Sequence, residues 1–316
     1  MGAPTFSIAV PAFKKAFLQE CIQSVLDQTC EDYELIIVND NSPEDLDEIV
    51  HRFTDPRIIY RKNETGCGAY NVTNNWNKCL DLATGKYFMC IGDDDKLLPD
   101  CLEKYQSLIA DFPDRHIFHA GTQLINEHSE IIGLQEARPL TESVYSMIWH
   151  RWCHSRKAFI GDYLFRTDVL RAMGGFIWMP YAWGSDEQTI FAVADNGGIV
   201  NMQGFGFQFR ISTLSISGGN RLYKEKAEAW RSGKAWYRVF LRKEPADPTD
   251  KVFWHFIQQN FDWYFKNCYE AMIQNDFRDN GLKDFRYWMK NREQYDLTRR
   301  DIWVHLFLGT KQRIRK

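Results

Sequence analysis

Three consecutive aspartates, Asp93, Asp94 and Asp95, follow a short apolar segment that has the composition of a buried strand. Like charges this close repel one another and raise one another's pKa, so the cluster is costly in a folded protein unless a cation is near. Mg²⁺ and Mn²⁺ prefer carboxylate oxygens, and a site with one or two carboxylates completes its shell with water or substrate phosphates. The cluster therefore predicts a divalent metal site. The simpler alternative is a solvated acidic turn that caps a helix beginning near Pro99.

A fourth carboxylate, Asp40, lies in the segment Asn39-Asp40-Asn41-Ser42-Pro43, after another apolar segment. These residue types form tight turns by themselves, which is one explanation for the segment. The other explanation is chemical, because a carboxylate at the end of a strand can accept the N3 proton of a uracil or thymine ring. The sequence leaves both explanations open.

The first hundred residues alternate short β-branched apolar segments with amphipathic helical stretches, which predicts a parallel sheet covered by helices. Ligands of such sheets bind beyond the carboxyl ends of the strands, where Asp40 and the aspartate cluster are expected. No GxGxxG follows the first strand, which argues against a Rossmann dinucleotide site. We predict strands at residues 6–10, 35–38, 57–61, 87–91, 116–126 and 159–165.

The composition narrows the class of protein. The 316 residues are 44% apolar and 26% charged, and the formal net charge of −3 argues against nucleic acid as the main partner. The eight cysteines form no CxxC pair, so we expect reduced thiols. No segment reaches the roughly 18 apolar residues of a membrane span, and no signal sequence is present, so we expect a cytoplasmic chain.

Aromatic residues at helical spacing dominate the chain from Leu222 onward. We therefore predict an α/β domain over residues 1–220, with halves 1–115 and 116–220, followed by a helical C-terminal region over 221–316. Residues 298–316 carry six Lys or Arg against one Asp, and an apolar helical stripe. This segment either contacts an anionic membrane surface or docks on the protein itself with a solvated basic end. The predicted stripe is Ile302, Trp303, Leu306 and Phe307.

Several segments occur in a recognisable order: SIAVPAF, then SVLDQTCEDYELIIVNDNS, then NWNKCLDLATGKYFMCIGDDDKLLPD. Together they resemble the family-two glycosyltransferases of GT-A fold. Two later segments, Phe165-Arg166 through Gly174-Gly175-Phe176 and Trp183-Gly184-Ser185-Asp186-Glu187, look like the acceptor-side segment and acidic catalytic motif of that family.

The resemblance implies a GT-A type nucleotide-binding sheet flanked by helices, in which residues 1–115 form the nucleotide-sugar half and 116–220 the acceptor half. It also implies an inverting enzyme that moves a sugar from a nucleotide-sugar, by preference a UDP-sugar, to an acceptor hydroxyl. The acceptor would be a glycan or a lipid-linked molecule in polysaccharide or glycolipid assembly.

The resemblance also assigns roles to residues. Asp186 falls where the family places its catalytic base, with Glu187 beside it, although both could simply cap the helical stretch 186–196. Asp94 and Asp95 are the candidate ligands of Mn²⁺ or Mg²⁺. The residues expected to contact the nucleotide-sugar are Pro11, Phe13, Asp40, Asn77, Asp93 and Asp94.

Three positions depart from the family pattern. Gly92 stands where the first aspartate of the DxD motif is usual, and Trp76 stands where an arginine is often found. A histidine that sometimes completes the metal shell would lie near Ser212. These departures predict weak metal affinity in the absence of nucleotide.

Two competing functions follow. One is a catalytically inert nucleotide-sugar or glycan-binding protein of the same fold, which the departures favour. The other is a sugar-nucleotide synthesising nucleotidyltransferase, although residues 10–15 lack the glycine-rich loop typical of that class. Aromatic residues of the acceptor half can either stack on sugar rings or serve packing. They are Trp149, Trp152, Trp178, Tyr181 and Trp183.

Overall fold

The computed structural model describes residues 2–212 and 222–314. By its contacts the chain divides into two units, Met1–Gly218 and Gly219–Lys316. The first unit is a mixed α/β structure, and the described part of the second is helical. The predicted fold class, an α/β sheet followed by a helical C-terminal region, is confirmed.

Within residues 2–212, the first unit contains a ten-stranded sheet with the order β3-β2-β1-β4-β9-β6-β10-β5, in which β7 pairs with β6 and β8 pairs with β10. The strands are β1 Phe6–Ala12, β2 Tyr33–Asn39, β3 Ile58–Lys62, β4 Tyr87–Cys90, β5 Lys96–Leu97, β6 Ile117–Ile125, β7 Ile131–Leu134, β8 Thr141–Glu142, β9 Tyr163–Arg166 and β10 Ile199–Arg210.

Strand β1 lies between β2 and β4 and is parallel to both. Strand β2, which follows β1 along the chain, is therefore on one side of β1, and β4 is on the other side. Such a reversal of strand order opens a crevice at the carboxyl edge of the sheet, where ligands of open α/β sheets bind. Strand β9 runs antiparallel to β4 and ends the parallel group β3-β2-β1-β4, and β6 and β10 form a further parallel pair.

Helices cover the sheet where the amphipathic segments predict them. In α1 the side chains of Cys21, Ile22 and Val25 are fully buried at helical spacing, and burial of each large aliphatic side chain is worth about 1.5–3 kcal/mol. The helices of this unit are α1 Leu18–Leu26, α2 Asp47–Val50, α3 Val72–Leu82, α4 Cys101–Asp111, α5 Val144–Trp152, α6 Thr167–Ala172 and α7 Ser185–Ala194.

The strand predicted at residues 159–165 is wrong in its first half. Ile160–Asp162 form a 3₁₀ turn, and β9 begins only at Tyr163. The buried carboxylate of Asp162 accepts a hydrogen bond from the backbone N–H of Phe159 at 3.2 Å and another from Thr122 at 2.8 Å. These side-chain bonds replace strand pairing, which an apolar pattern alone does not reveal.

The second unit contains helices α8 Tyr223–Phe240, α9 Pro248–Asn280, α10 Phe285–Asn291 and α11 Arg299–Ile314. Its core is aromatic, since Trp288, Tyr295 and Tyr269 are almost fully buried. Trp288 donates its indole N–H to Asp276 at 2.6 Å. Across residues 2–212 and 222–314, none of the helices combines the length and apolar character needed to cross a membrane. The eight cysteines, all within the described residues, form no disulfide with one another.

Candidate active site

The loops that follow β1, β2 and β4 meet at the carboxyl edge of the sheet. Ala12 at the end of β1 pairs with Asn39 at the end of β2, and β4 adjoins β1 on the other side. Phe13, Asp40 and the aspartate cluster follow directly after these strands. These residues lie at one edge of the sheet because β1, β2 and β4 are parallel and end on the same side. Pro11 lies inside β1, where it pairs with Val38.

Asp93 ties the loop after β1 to the loop after β4. One of its carboxylate oxygens accepts hydrogen bonds from the backbone N–H of Phe13 at 2.7 Å and from that of Lys14 at 2.6 Å. The side chain is only 4% exposed, and burial raises the pKa of Asp93 above its ordinary value. Asp93, in the loop after β4, therefore positions the loop after β1, while Phe13 remains 46% exposed.

Lys14 supplies a cation to the aspartate cluster, which sequence reasoning missed. Its ammonium lies 2.5 Å from Asp94 and 3.2 Å from Asp93. Burial acts to lower the pKa of Lys14, but the charges of both aspartates outweigh it and raise the pKa above its usual value. The lysine relieves part of the repulsion for which the sequence suggested a metal. Its position directly after a strand end was the available signal.

Asp95 is held by Arg210, a second residue that the sequence analysis did not assign. The backbone N–H of Arg210 donates to Asp95 at 2.9 Å, and its guanidinium donates to the backbone carbonyl of Asp94 at 2.8 Å. Arg210 is 1% exposed and lies over the ring of Phe17 at 4.1 Å. Burial, reinforced by the charge of Asp94, raises the pKa of Asp95 well above its ordinary range. This arrangement fixes the acidic loop and favours Asp94 over Asp95 as a metal ligand.

The glycine at position 92 has a steric reason. A Cβ at Gly92 would lie 2.7 Å from a carboxylate oxygen of Asp95 and 3.1 Å from one of Asp94. Those two side chains turn back over the glycine, so an aspartate at this position would not fit the same loop. The departure from the family pattern is thus tied to the conformation of Asp94 and Asp95.

Asp40 is 7% exposed and accepts several hydrogen bonds. Its carboxylate takes bonds from the side chain of Asn63 at 2.8 Å, from the backbone N–H of Cys67 at 2.8 Å and from that of Gly68 at 3.3 Å. Asn63 also donates to Asn75 of helix α3 at 2.9 Å. Asp40 therefore anchors the loop around Cys67, a contact that the sequence analysis did not foresee.

Asn77, a predicted nucleotide contact, bonds in the structure to the glycine turn before α7. Its side-chain oxygen accepts the backbone N–H of Phe176 at 2.8 Å, and a Cβ at Gly175 would lie 2.3 Å from that oxygen. Gly175 has a φ of +87°, which a side chain would strain as well. Asn77 therefore holds the glycine turn before α7, and we leave it out of the proposed nucleotide site.

Asp186 lies in the first turn of α7, which is linked to helix α3. The hydroxyl of Ser185 is 3.1 Å from that of Thr73 in α3, and it accepts the backbone N–H of Met179 at 3.0 Å. Helix α3 also carries Asn75, the partner of Asn63 beside Asp40. One helix therefore contacts both the loop region of Asp40 and the start of the helix that bears Asp186.

The two acidic residues of α7 differ in their surroundings. Burial raises the pKa of Asp186 to about 7, against the opposing effect of a hydrogen bond from the backbone N–H of Glu187. Glu187 is paired with Arg151, whose Nε lies 2.6 Å from its carboxylate. A carboxylate with a pKa near neutrality can accept a proton effectively at physiological pH, whereas the carboxylate of Glu187 is already engaged by Arg151. These surroundings favour Asp186 over Glu187 as the candidate base, in agreement with the role that the resemblance implies.

The described residues include no group of three or more His, Cys, Asp or Glu side chains placed to hold a metal ion. Asp94 nevertheless offers a carboxylate, 11% exposed, whose partner within the described residues is the ammonium of Lys14. Mg²⁺ in phosphate-transferring sites is commonly bound by one or two carboxylates and by the phosphates of the substrate. The donor set therefore fits a metal that arrives with a diphosphate and does not fit a preformed metal cage.

Comparison with known proteins identifies the domain. Residues 7–160 match the sequence profile of Glycosyl transferase family 2, a segment that contains Phe13, Asp40 and the aspartate cluster. The chain carries a family-two glycosyltransferase domain. The matched segment ends before Asp186, so the role of that residue rests on its geometry and on the motif around it. The predicted family is confirmed.

Several curated relatives are glycosyltransferases. The chain is 31% identical over 144 residues to an uncharacterized glycosyltransferase of Methanocaldococcus jannaschii, which is 44% of this chain and 48% of that protein. It is 35% identical over 102 residues to a PGL/p-HBAD biosynthesis glycosyltransferase of Mycobacterium tuberculosis, covering 31% of this chain and 38% of the relative. The chain thus spans less than half the length of these relatives.

Solved structures share the fold. S. aureus TarS in complex with UDP-GlcNAc has a TM-score of 0.64 at 14% identity, over 99% of this chain and 92% of that structure. The mannosyltransferase of Pyrobaculum calidifontis in complex with GDP-Man and Mn²⁺ has a TM-score of 0.54 at 13% identity, over 99% of this chain and 87% of that structure. These likenesses show a GT-A type glycosyltransferase fold for the chain.

Proposed function

We propose that the protein transfers a sugar with inversion from a UDP-sugar to an acceptor hydroxyl, assisted by Mn²⁺ or Mg²⁺. The observation that carries the proposal is the link through α3, which connects the Asp40 loop on the donor side with Ser185 and Asp186 on the other. A donor site and a base that are both held by contacts to one helix suit an in-line displacement, because a misplacement of about 1 Å can cost about 10²-fold in rate.

In the proposed reaction Asp186 accepts the proton of the acceptor hydroxyl. The acceptor oxygen forms a bond to the anomeric carbon while the bond from that carbon to the diphosphate oxygen breaks. The electron pair of that bond leaves with UDP. A divalent ion bound at Asp94 would neutralise charge that develops on the leaving diphosphate. Lys14, at 2.5 Å from Asp94, is placed to contribute positive charge to the same region.

The uracil specificity is proposed to come from Asp40. Both oxygens of the Asp40 carboxylate already accept hydrogen bonds from the loop around Cys67. Each carboxylate oxygen has two lone pairs, so Asp40 can accept a bond from a further donor. The alternative is that Asp40 only anchors this loop. The two roles predict different dependence on the base, since uracil has an N3 proton and cytosine does not.

We expect Asp40→Ala to weaken UDP binding by about 1–3 kcal/mol, the range for loss of a charged hydrogen bond in a buried site. The informative quantity is the ratio of dissociation constants for UDP and CDP, measured by calorimetry with Mn²⁺. The wild type should prefer UDP, and the variant should bind both nucleotides alike. GDP belongs in the series because the N1 and N2 protons of guanine can also face a carboxylate. Equal weakening of UDP and CDP binding would show that Asp40 is a loop anchor alone.

The inert binding protein is the main alternative function. Its support is that Trp76 and Ser212 replace residues that help bind diphosphate and metal in related enzymes. Release of UDP from a panel of UDP-sugars, with and without Mn²⁺, separates the two proposals. Turnover on any donor supports the enzyme, and tight binding without turnover in the presence of candidate acceptors supports the inert protein.

A peripheral contact with an anionic membrane is a further part of the proposal, and it rests on helix α11. Ile302 is fully buried, and Gly309 lies so close to α9 that a Cβ there would be 2.6 Å from the carbonyl of Gln274. On the opposite side Trp303 is 57% exposed and Phe307 is 67% exposed. The predicted stripe of Ile302, Trp303, Leu306 and Phe307 is therefore divided between an apolar face that packs on α9 and a second apolar face that is exposed.

The charge of the second apolar face is positive. Residues at spacings of three, four and seven share a helix face, which places Arg300 and Lys311 with Trp303 and Phe307. The single acidic residue of α11, Asp301, is paired with Lys266 at 3.1 Å. Exposed aromatic side chains with interspersed cations are typical of helices that lie on anionic lipid.

We expect the protein to co-sediment with vesicles that contain phosphatidylglycerol and much less with pure phosphatidylcholine. Trp303→Ser with Phe307→Ser should lower the partition coefficient by about 100-fold, because each exposed aromatic side chain contributes about 1.5–3 kcal/mol when buried. The matched control is Ile131→Ser with Ile132→Ser, which removes two residues of similar exposure from the first unit. Protein that stays in the supernatant at low salt, or a dimer that forms through this face in sedimentation velocity, would contradict the membrane proposal.

A further inference from the structure

An exposed aromatic cluster lies just before Asp186. Tyr70, Trp178, Tyr181 and Trp183 form it, and we call it the aromatic platform. The rings of Tyr70 and Trp178 meet edge to face with centroids 5.5 Å apart, and those of Tyr70 and Tyr181 with centroids 5.4 Å apart. Tyr181 stacks on Trp183 at 4.9 Å. Residues from two distant parts of the first unit thus form one surface.

Two residues of the platform are exposed to solvent, and Tyr181 and Trp183 are half-buried. Trp178 is 42% exposed and Tyr70 is 49% exposed, whereas Phe176, two residues earlier, is 3% exposed in the core. Aromatic residues that serve packing lose their surface as Phe176 does. The phenol hydroxyls of Tyr70 and Tyr181 make no hydrogen bond to another described residue, so donors and acceptors are available at the rim of the platform.

The segment that carries the platform is held in a strained conformation. Tyr181 has a φ of 59° and Ala182 a φ of 57°, two consecutive residues in the left-handed region. Such conformations cost about 1–2 kcal/mol each for residues other than glycine and persist where the surroundings impose them. The indole N–H of Trp178 donates to Asn71 at 3.0 Å, which fixes the orientation of the ring.

We infer that the aromatic platform binds a sugar ring of the acceptor, so that the acceptor is a saccharide or glycoside. This inference rests on the proposed function, because it takes the start of α7 as the acceptor side. One face of a pyranose ring is lined by C–H bonds with partial positive charge, which suit the negative face of an aromatic ring. Its hydroxyls lie around the rim, where the phenol groups are. Trp183 is three residues from Asp186, within about 11 Å along the chain.

The test uses saturation-transfer NMR on the full chain with UDP and Mn²⁺ present. The probes are the methyl glycosides of glucose, galactose, mannose and N-acetylglucosamine. We expect transfer to the ring C–H protons of at least one glycoside. Trp178→Ala should raise the dissociation constant by at least about tenfold, as loss of a stacking contact worth about 1.4 kcal/mol implies. Trp178→Phe, which keeps an aromatic face, should retain most of the binding even if the alanine variant is unstable.

The matched control is Trp263→Ala, which removes a tryptophan that is 65% exposed in the second unit and should leave the glycoside signals unchanged. UDP affinity is measured on the same samples. A wild type that binds UDP but shows no transfer to any glycoside would overturn the platform proposal. Equal binding by the wild type and Trp178→Ala would do the same. A wild type that fails to bind UDP would instead overturn the proposed function.

Discussion

Replacing Asp186 by Asn is expected to lower the rate of sugar transfer by about 10²–10⁴, the usual contribution of a positioned base. Asn has the same shape and can still accept the backbone N–H of Glu187, which Asp186 accepts at 2.8 Å. It cannot take a proton from the acceptor hydroxyl. The loss should therefore appear in kcat with little change in the affinity for UDP, measured by calorimetry.

The pH dependence gives an independent check on Asp186. Its pKa is raised to about 7 by burial, so the carboxylate becomes basic as the pH rises through neutrality. The rate should accordingly increase with pH up to about 7 and then level off. The raised pKa also means that the ionised carboxylate destabilises the folded state above its unfolded pKa of about 4. Asp186→Asn should thus melt at the same or a higher temperature than the wild type at neutral pH.

Glu187→Gln is the matched control, since it replaces one carboxylate oxygen of the neighbouring residue by an amide nitrogen, as Asp186→Asn does. We expect a smaller loss of rate from it, because Glu187 is paired with Arg151. Near-normal turnover of Asp186→Asn would show that Asp186 only caps the helix. A larger loss of rate in Glu187→Gln than in Asp186→Asn would indicate that Glu187 is the base.

UDP is expected to raise the melting temperature of the protein strongly with Mn²⁺ or Mg²⁺ and much less with EDTA. The physical reason is that diphosphate and carboxylate repel each other until a cation lies between them. Stabilisation by a ligand grows with the logarithm of its concentration over its dissociation constant, so a hundredfold loss of affinity removes about 2.7 kcal/mol. Asp94→Asn should reduce the effect with metal to about the level seen with EDTA.

The variant Lys14→Gln tests the contribution of the lysine to UDP binding separately from that of the proposed metal ion. If the lysine contributes charge beside the metal, its removal should weaken UDP binding in EDTA as well as in Mn²⁺. Equal stabilisation of the wild type by UDP in both buffers would remove the metal from the proposal and leave Lys14 as the cation. If Asp94→Asn responds to Mn²⁺ as the wild type does, Asp94 is not the metal ligand and Asp95 becomes the candidate.

The parts of the fold that depend on local pattern were predictable from the sequence. Apolar strands, amphipathic α1 and the helical C-terminal region each carry their periodicity within about ten residues. The polar residues after β1, β2 and β4 could be placed together because parallel strands share a carboxyl edge. The proposed base, Asp186, was identified only through the motif around it, since a lone acidic residue at a helix start is also a good cap.

The contacts that the sequence did not reveal join distant residues. Lys14 meets Asp94 across 80 positions, and Arg210 reaches Asp95 across 115. Pairings of this kind depend on how loops pack, for which a single sequence carries no periodic signal. The same holds for Asn77, whose bond to Phe176 spans 99 positions, and for the two faces of α11. Residue types identified the candidate site residues, but their hydrogen-bond partners depend on tertiary packing.

The ammonium of Lys14 has a consequence for the order in which ligands bind. Before any ligand arrives, the acidic loop is already partly neutralised from within, so a free metal ion must compete with a tethered lysine for Asp94. A metal that comes with a diphosphate brings additional ligands and wins that competition more easily. Metal and nucleotide should then strengthen each other's binding by the same factor, as thermodynamic linkage requires. The enzyme would take up its metal with each donor molecule and let it go with UDP, and a chelator would stop turnover without unfolding the chain.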